Sequence, residues 1–437
     1  MQKLISGPVR HRIFQRGHPL ANDDLVVGLD VGTTKVCAVI GERNENGSLE
    51  ITGIGVAPST GMRKGVVVNI EATIRSVTAA IEAAELMSGR EVSMCWTGIG
   101  GNHIDGINSR GVVAVTEKDR DRVIGQEDIQ RVLESARAVV IPMDRQVLTV
   151  IPQTFIVDDQ RGIRVPLDMI GVRLEAEVHI ITCSVTSAQN LVKCVNRSGY
   201  TTKDLILQSL AAARAVLTLE EKEMGVALID LGGGTTDVLV FSEGAPYSTM
   251  TIPAGGSMIT SDISKVKNIS LETAEKVKLD AGCCWESMLD NDSEVVVPGV
   301  GGRPPTPIPR SQLFDIIQPR MEEIFMMIKE KLERLSLTRP LIGGIVITGG
   351  GAKLPGTAEL AGQIFRLPVR IGNPLSVGGL VEEYRSPAYA TAVGLVLEGD
   401  AREREARDSH LMVESRPREQ EKTEFFGRIV NWFREFF

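Results

Sequence analysis

A protein of two or more domains built on a repeated strand–turn–strand device is what the sequence predicts, and three glycine-centred stretches carry that prediction. The chain has 437 residues, 43% hydrophobic and 24% charged, which supplies a large core and a length suited to at least two domains. LVVGLDVGTTKVCAVIGE, residues 25–42, reads as a strand, a tight turn at Gly32, Thr33 and Thr34, and a second strand. Far along the chain GVALIDLGGGTTDVLVF, residues 225–241, repeats the pattern with Asp230, Gly232, Gly233, Gly234, Thr235 and Thr236 at its centre. GGIVITGGGAKLPG, residues 343–356, runs a buried strand into Gly349, Gly350 and Gly351, then Lys353 and a helix start.

Each of the first two turns presents backbone N–H groups and threonine hydroxyls that can wrap a phosphate, because glycine permits close backbone approach and positive φ. Facing each other, two such clamps hold a nucleotide tail. Asp30 and Asp230 end the strands before the turns, where carboxylates suit the waters of a phosphate-bound Mg²⁺. Lys35 faces the phosphates as a point charge. Alone, either stretch reads equally as an ordinary glycine-rich hairpin turn. The third stretch offers the close backbone approach that an adenosine moiety needs.

Composition removes other classes. A net charge of -8 with no basic stripe argues against a nucleic-acid partner. The six cysteines show no C-x-x-C spacing and the five histidines are scattered, so neither zinc nor a disulfide framework is indicated, and a reducing cytoplasm fits. No run of 18 apolar residues is present to span a bilayer. Residues 1–22 lack an apolar signal core and read as a disordered basic arm.

The three signatures, D-x-G-T, D-x-G-G-G-T-T-D and V-x-T-G-G-G-A at these separations, resemble those of the superfamily of actin, sugar kinases and heat-shock chaperones. That resemblance implies an α/β, actin-like (ribonuclease H-like, duplicated) two-domain fold with ATP and Mg²⁺ in the cleft. AEKVK, residues 274–278, is similar to the family's adenosine-contacting helix and matches Glu275 and Lys278, which otherwise read as an i,i+3 surface pair. Gln208 resembles in position the water-orienting glutamine of actin, with a helix-surface role equally open, so the expectation is slow ATP turnover at most.

Insertions decide the branch. GMRKGVVVNIEATIRSVTAAIEAAELMSG, TVIPQTFIVD and GGRPP resemble the FtsA family of bacterial cell-division proteins, and the resemblance spans about residues 25–398 and continues in the tail. It implies subdomain IA at 23–90 and 169–215, and an inserted subdomain IC at 91–168 that contacts other subunits and later division proteins. It implies subdomain IIA at 216–250 and 339–398, and IIB at 251–338. EVSMCWTGIGG is expected as a strand of the insert, residues 126–139 as its amphipathic helix, and RQVLTVIPQTFIVD as a strand pair broken at Pro152. On IIB the C-terminal tail of the tubulin-like FtsZ docks in the family, and Arg320, Glu323 and Arg310 match positions implicated there; Thr306 stands where the family often has a second arginine. The bland reading of Arg320 and Glu323 is a solvated helix face.

Six of the 18 aromatic residues lie in FFGRIVNWFREFF, residues 425–437. On a helical projection Phe425, Phe426, Ile429, Val430, Trp432, Phe433, Phe436 and Phe437 fill an arc of roughly 160°, which suits a helix lying in the headgroup region. Residues 399–422 read as a charged flexible linker before this 423–437 helix. One such helix anchors weakly, so lasting attachment needs many tails on a polymer. The expected function is an ATP-binding, actin-like division protein that polymerises on the cytoplasmic face of the inner membrane at the septum and tethers FtsZ there. Two alternatives compete with it: a small-molecule kinase, which lacks an aspartate in a recognisable catalytic context, and another actin-like membrane-associated assembly protein.

Overall fold

The computed structural model describes residues 24–115, 122–289, 293–297, 304–337, 340–375, 377–379 and 381–413. The arm at 1–22, residues 301–303 of GGRPP, and the terminal segment carrying Phe425, Phe426, Ile429, Val430, Trp432, Phe433, Phe436 and Phe437 lie outside these residues.

The first lobe starts with β1 (Leu25–Val31), β2 (Lys35–Arg43) and β3 (Leu49–Pro58). The small hairpin of β4 (Met62–Arg63) and β5 (Val66–Val67) leads to α1 (Ile70–Ser88) and β6 (Met94–Ile99). Helix α1 begins where Asn69 accepts the Ala72 N–H through its side chain, and it stops at Gly89 with φ of 69°. An inserted unit follows: β7 (Asp105–Ala114), α2 (Gln126–Arg137), β8 (Arg145–Val157), β9 (Gln160–Ile163) and β10 (Arg173–Ser184), with sheet order β7-β10-β8-β9. The apolar stripe of α2, Ile129, Val132, Leu133 and Ala136, buries against Phe155, Leu174 and Val178 of that sheet. The chain returns through α3 (Val185–Arg197), β11 (Thr201–Leu207) and α4 (Gln208–Val216), completing a five-stranded sheet in the order β11-β6-β1-β2-β3.

The second lobe repeats this plan. After α5 (Leu219–Met224) come β12 (Val226–Leu231), β13 (Thr236–Ser242) and β14 (Ala245–Ile252), then α6 (Gly256–Lys267) and α7 (Leu271–Ala281). A two-stranded ribbon of β15 (Glu294–Val297) and β16 (Thr306–Pro309) precedes α8 (Arg310–Glu333), and β17 (Ile345–Thr348), α9 (Thr357–Phe365), β18 (Val369–Ile371) and α10 (Ala390–Val413) end the described chain. Its sheet order is β14-β13-β12-β17-β18. In both sheets two antiparallel pairings flank one side of the first strand and two parallel ones the other. The fold is therefore duplicated, and α4 and α10, each following the fifth strand of its sheet, pack on one another at the junction of the lobes. Their approach is so close that a Cβ on Gly394 would collide with the Ala211 carbonyl.

Four expectations are corrected. The strand expected at the start of the insert, β6, hydrogen-bonds to β1 and β11 in the first-lobe sheet, and Cys95 to Ile99 are buried there. The insert's own sheet extends to Ser184 through β10, so the expected limits of 91–168 fall too early at both ends. β8 is one strand rather than a pair: the register against β10 slips between Pro152 and Thr154, and this bulge absorbs the amide that proline lacks. Finally, the linker expected from 399 onward is helical through Val413, because its charges pair with the first lobe. Arg43 Nε reaches Asp400 at 2.6 Å, Glu403 takes Arg43 at 2.8 Å and Lys203 at 2.7 Å, and Arg402 reaches Asp204 at 3.0 Å.

Candidate functional site

The two glycine turns are built alike. Gly32 N–H donates to the Lys35 carbonyl at 3.0 Å, and Gly232 N–H donates to that of Thr235 at 3.0 Å. Asp30 stands opposite Cys37 across β1 and β2, and Asp230 stands opposite Asp237 across β12 and β13. Between the lobes the turns touch tip to tip. A Cβ on Gly234 would lie 2.7 Å from Thr33 Oγ1, and one on Gly233 would collide with Thr34 Cγ2. The threonines of the first turn thus occupy the space that the glycines of the second leave free.

The carboxylates converge behind these tips. Burial pushes Asp30 up to about 6, against the pull of Lys35, and the charge of Asp230 adds to the rise. Asp230 is raised by burial. Burial pushes Asp237 up to about 7, opposed by the Thr251 hydroxyl and reinforced by Asp230 and Asp30. Gln208, the first residue of α4, donates from Nε2 to Asp30 Oδ1 at 2.7 Å. Thr391, near the start of α10, donates from Oγ1 to Asp230 Oδ2 at 2.9 Å. Each lobe's leading aspartate is thereby held by the helix that follows the lobe's fifth strand. Gln208 points into the cleft and not along a helix surface.

Lys35 does not stand free at the turn: its Nζ donates to the Ala388 carbonyl and lies 4.0 Å from the centre of the Tyr389 ring. The start of α6 closes on the second turn, with Gly256 N–H donating to Gly232 O at 2.9 Å and Ser257 N–H to Gly233 O at 2.8 Å. Lys278, 9% exposed, continues the chain of contacts, donating to Gly256 O at 3.2 Å, Thr260 Oγ1 at 2.9 Å and Glu275 Oε2 at 2.7 Å. Glu275 also accepts from the Thr260 hydroxyl, so this i,i+3 pair is tied to α6. On the far side Gly349, with φ of 85°, lies so close to Asp230 that a Cβ would collide with its carboxylate. Gly350, Gly351 and Lys353 form the short 3₁₀ turn that follows, and Gly351 rests against Leu231.

Asp30, Gly32 to Lys35, Asp230, Gly232 to Thr236, Gln208 and Gly349 therefore share one cleft, with Glu275 and Lys278 joined through α6. Arg310, Arg320 and Glu323 lie elsewhere, on α8. Arg320 Nε reaches Asp262 on α6 at 2.6 Å and its guanidinium also holds Glu323, while Arg310 Nε donates to Ala281 O at 3.1 Å. Sequence reasoning missed two functional candidates, Asp237 and Thr391. Asp237 closes the D-x-G-G-G-T-T-D stretch, so its place opposite Asp230 was available from the hairpin register; no local signal marks Thr391.

The residues fit a nucleotide with a hydrated divalent cation. Three buried carboxylates stand together, the charge of Asp230 raising Asp30 and those of Asp230 and Asp30 raising Asp237, and hard oxygen donors of this kind suit Mg²⁺.

Two like sheets with paired glycine turns meeting in a cleft define an actin-like protein. Solved structures agree on that fold: a type IV pilus biogenesis complex of PilM and PilN matches with a TM-score of 0.61 at 17% identity, covering 86% of this chain and 98% of that one. MreB5 of Spiroplasma citri bound to ADP matches with a TM-score of 0.51 at 16% identity, covering 89% and 98%. The family model for cell division protein FtsA matches residues 227–394, and that for the SHS2 domain inserted in FTSA matches residues 101–182. Cell division protein FtsA of Borreliella burgdorferi is 48% identical over 86% of this chain and 90% of that one. The FtsA of Escherichia coli K12 is 39% identical over 94% and 98%, and that of Bacillus subtilis 40% over 86% and 83%. The chain belongs to the FtsA family of actin-like cell-division proteins.

Proposed function

We propose that this division protein binds ATP with Mg²⁺ between its two glycine turns and polymerises in that state. The polymer attaches to the cytoplasmic face of the inner membrane at the division septum through residues 423–437 and carries the FtsZ tail on α8. The observation that carries the reading is the tip-to-tip contact of Thr33 and Thr34 with Gly234 and Gly233. Two phosphate-wrapping turns that meet there, with Asp30, Asp230 and Asp237 behind them, form a site for a polyphosphate and its cation. The turns supply N–H donors to the phosphates, the aspartates hold the waters of the cation, and Lys278 with Glu275 lines the side where the adenosine lies. Gln208 is the candidate to orient a water, but its amide already donates to Asp30, which favours slow hydrolysis at most, with ATP acting chiefly as a conformational ligand.

No helix among the described residues is long and apolar enough to cross a membrane, in keeping with peripheral attachment. Arg320 and Glu323, fixed together with Asp262 on an α6–α8 face, support a docking site for a charged peptide. A groove of 420 Å³ between α3, β8 and β11, with Gln146, Lys193 and Arg197 at its edge, supports the reading that later division proteins bind beside the insert. Liposome co-sedimentation with ATP and Mg²⁺ tests the proposal, comparing the full chain with one ending at Lys422. Sedimentation of the full chain alone is the expected result. Equal sedimentation of both, or of neither, refutes the anchor.

A further inference from the structure

The insert is covalently part of the first lobe, entered from β6 and left into α3, yet its edge strand β7 lies against β14, the edge strand of the second-lobe sheet. Side chains, not a ladder of backbone bonds, join the two edges. His179 on β10 is 1% exposed; its Nδ1 lies 2.6 Å from Asn108 Oδ1 on β7, and its Nε2 lies 3.0 Å from Thr249 Oγ1 on β14. Asn108 donates from Nδ2 to the Tyr247 carbonyl at 3.1 Å, and Gln153 on β8 donates to the Pro246 carbonyl at 2.9 Å. Tyr247 extends the connection, donating from its hydroxyl to Ser336 O beyond α8 at 2.8 Å. A second contact joins Arg164, after β9, to Glu223 on α5.

The chemistry of this cluster is directional. Asn108 Oδ1 can only accept, so the proton sits on His179 Nδ1, and Nε2 is left to accept from the Thr249 hydroxyl. Each polar atom of the Asn108, His179 and Thr249 side chains has a partner, in a place where an unmet one costs about 1–3 kcal/mol. The seat is also shaped for the ring: a Cβ on Gly106 would lie 2.7 Å from His179 Cε1. An incidental contact between two domains does not require a buried, fully bonded imidazole with a glycine opposite it.

We propose that Asn108, His179 and Thr249 form a clasp that fixes the orientation of the insert by fastening it to the second lobe. The insert then spans both lobes, held to the first by the chain and to the second by the clasp. Any change in the angle between the lobes must open the clasp or swing the insert. Resting on the nucleotide reading above, this makes the insert the part of the surface that reports what the cleft contains.

The test is hydrogen–deuterium exchange on the full chain without nucleotide. Thr249→Val keeps the shape and removes the donor to His179, and Gln153→Ala removes a rim bond should the first variant fold poorly. The expected result is exchange about tenfold faster or more in residues 105–114 and 245–252, with β1 and β12 unchanged. Wild-type exchange at those strands, or an equal increase in every strand, overturns the clasp. Adding ATP and Mg²⁺ to the wild type is a separate arm, with binding followed by a fluorescent nucleotide. A chain that binds no nucleotide refutes the cofactor, while the clasp stands or falls on the exchange measured without it.

Discussion

The first turn, Asp30 to Cys37, and the second, Asp230 to Asp237, share strand pairing and turn hydrogen bond but differ where the cleft is made. Thr33 and Thr34 face Gly233 and Gly234; Lys35 corresponds to Thr235, and Cys37 to Asp237. One copy supplies bulk and a cation, the other supplies space and a second carboxylate. Identical turns would either collide or leave a gap between the lobes. Duplication gave the scaffold its symmetry, and departures from that symmetry made the two halves complementary.

The most damaging way to break this relation is to fill the space. Gly233→Val with Gly234→Val places side chains where Thr34 and Thr33 sit, and ATP affinity is expected to fall about a hundredfold or more, near 2.7 kcal/mol, by fluorescent-nucleotide titration. Exchanging the pairs, with glycines at 33 and 34 and threonines at 233 and 234, should recover at least about tenfold of that loss. No recovery would mean that the tips contribute through backbone conformation and not through fit.

The next test uses the carboxylate that only the second turn carries. Burial holds Asp237 up at about 7, above its ordinary value of 3.8. Stability linked to its protonated form is complete below the unfolded value and is lost as pH rises through about 7. Asp237→Asn should therefore melt a few degrees higher than wild type at pH 8, with the difference vanishing near pH 4 in calorimetry without nucleotide. Cys37, at the matching place, is pushed up to about 12 by burial and stays neutral, so Cys37→Ala should show no pH dependence over this range.

The smallest expected effect concerns the two helices that hold the leading aspartates. Gln208→Leu and Thr391→Val each remove one hydrogen bond to a buried carboxylate, a loss of about 1–2 kcal/mol by urea denaturation. Similar values would show that the symmetry extends to α4 and α10; a loss confined to one variant would show that the copies have diverged there too.

Much of this arrangement was legible in the chain. Glycine two places after an aspartate at a strand end is a local signature, as is a strand running into three glycines, so both turns, the third glycine cluster and the duplication could be read directly. What escaped depends on distant partners. The strand Met94–Ile99 is apolar enough for either sheet, and only its pairing with β1 and β11 assigns it to the first lobe. Thr391 gains a role because α10 begins beside Asp230, which lies 161 residues earlier in sequence. The charges after residue 399 read as solvated because Arg43, their main partner, is 357 residues from Asp400. A charge run resembles a tether whenever the opposite charges lie on another part of the fold.

That last contact determines how mechanical load enters the molecule. Asp400, Glu403 and Arg404 fasten α10 to Arg43, Lys203, Trp96 Nε1 and the Gly47 carbonyl, all in the first lobe. The stretch from Thr391 at the cleft to Glu403 at this fastening is about 18 Å of helix. A pull on the chain beyond Val413 is delivered first to β2, β6 and β11, and reaches Thr391 and Asp230 only after those ion pairs yield. The fastening works as a strain relief, so tension on the C-terminal end and rearrangement at the nucleotide turns can proceed without disturbing each other.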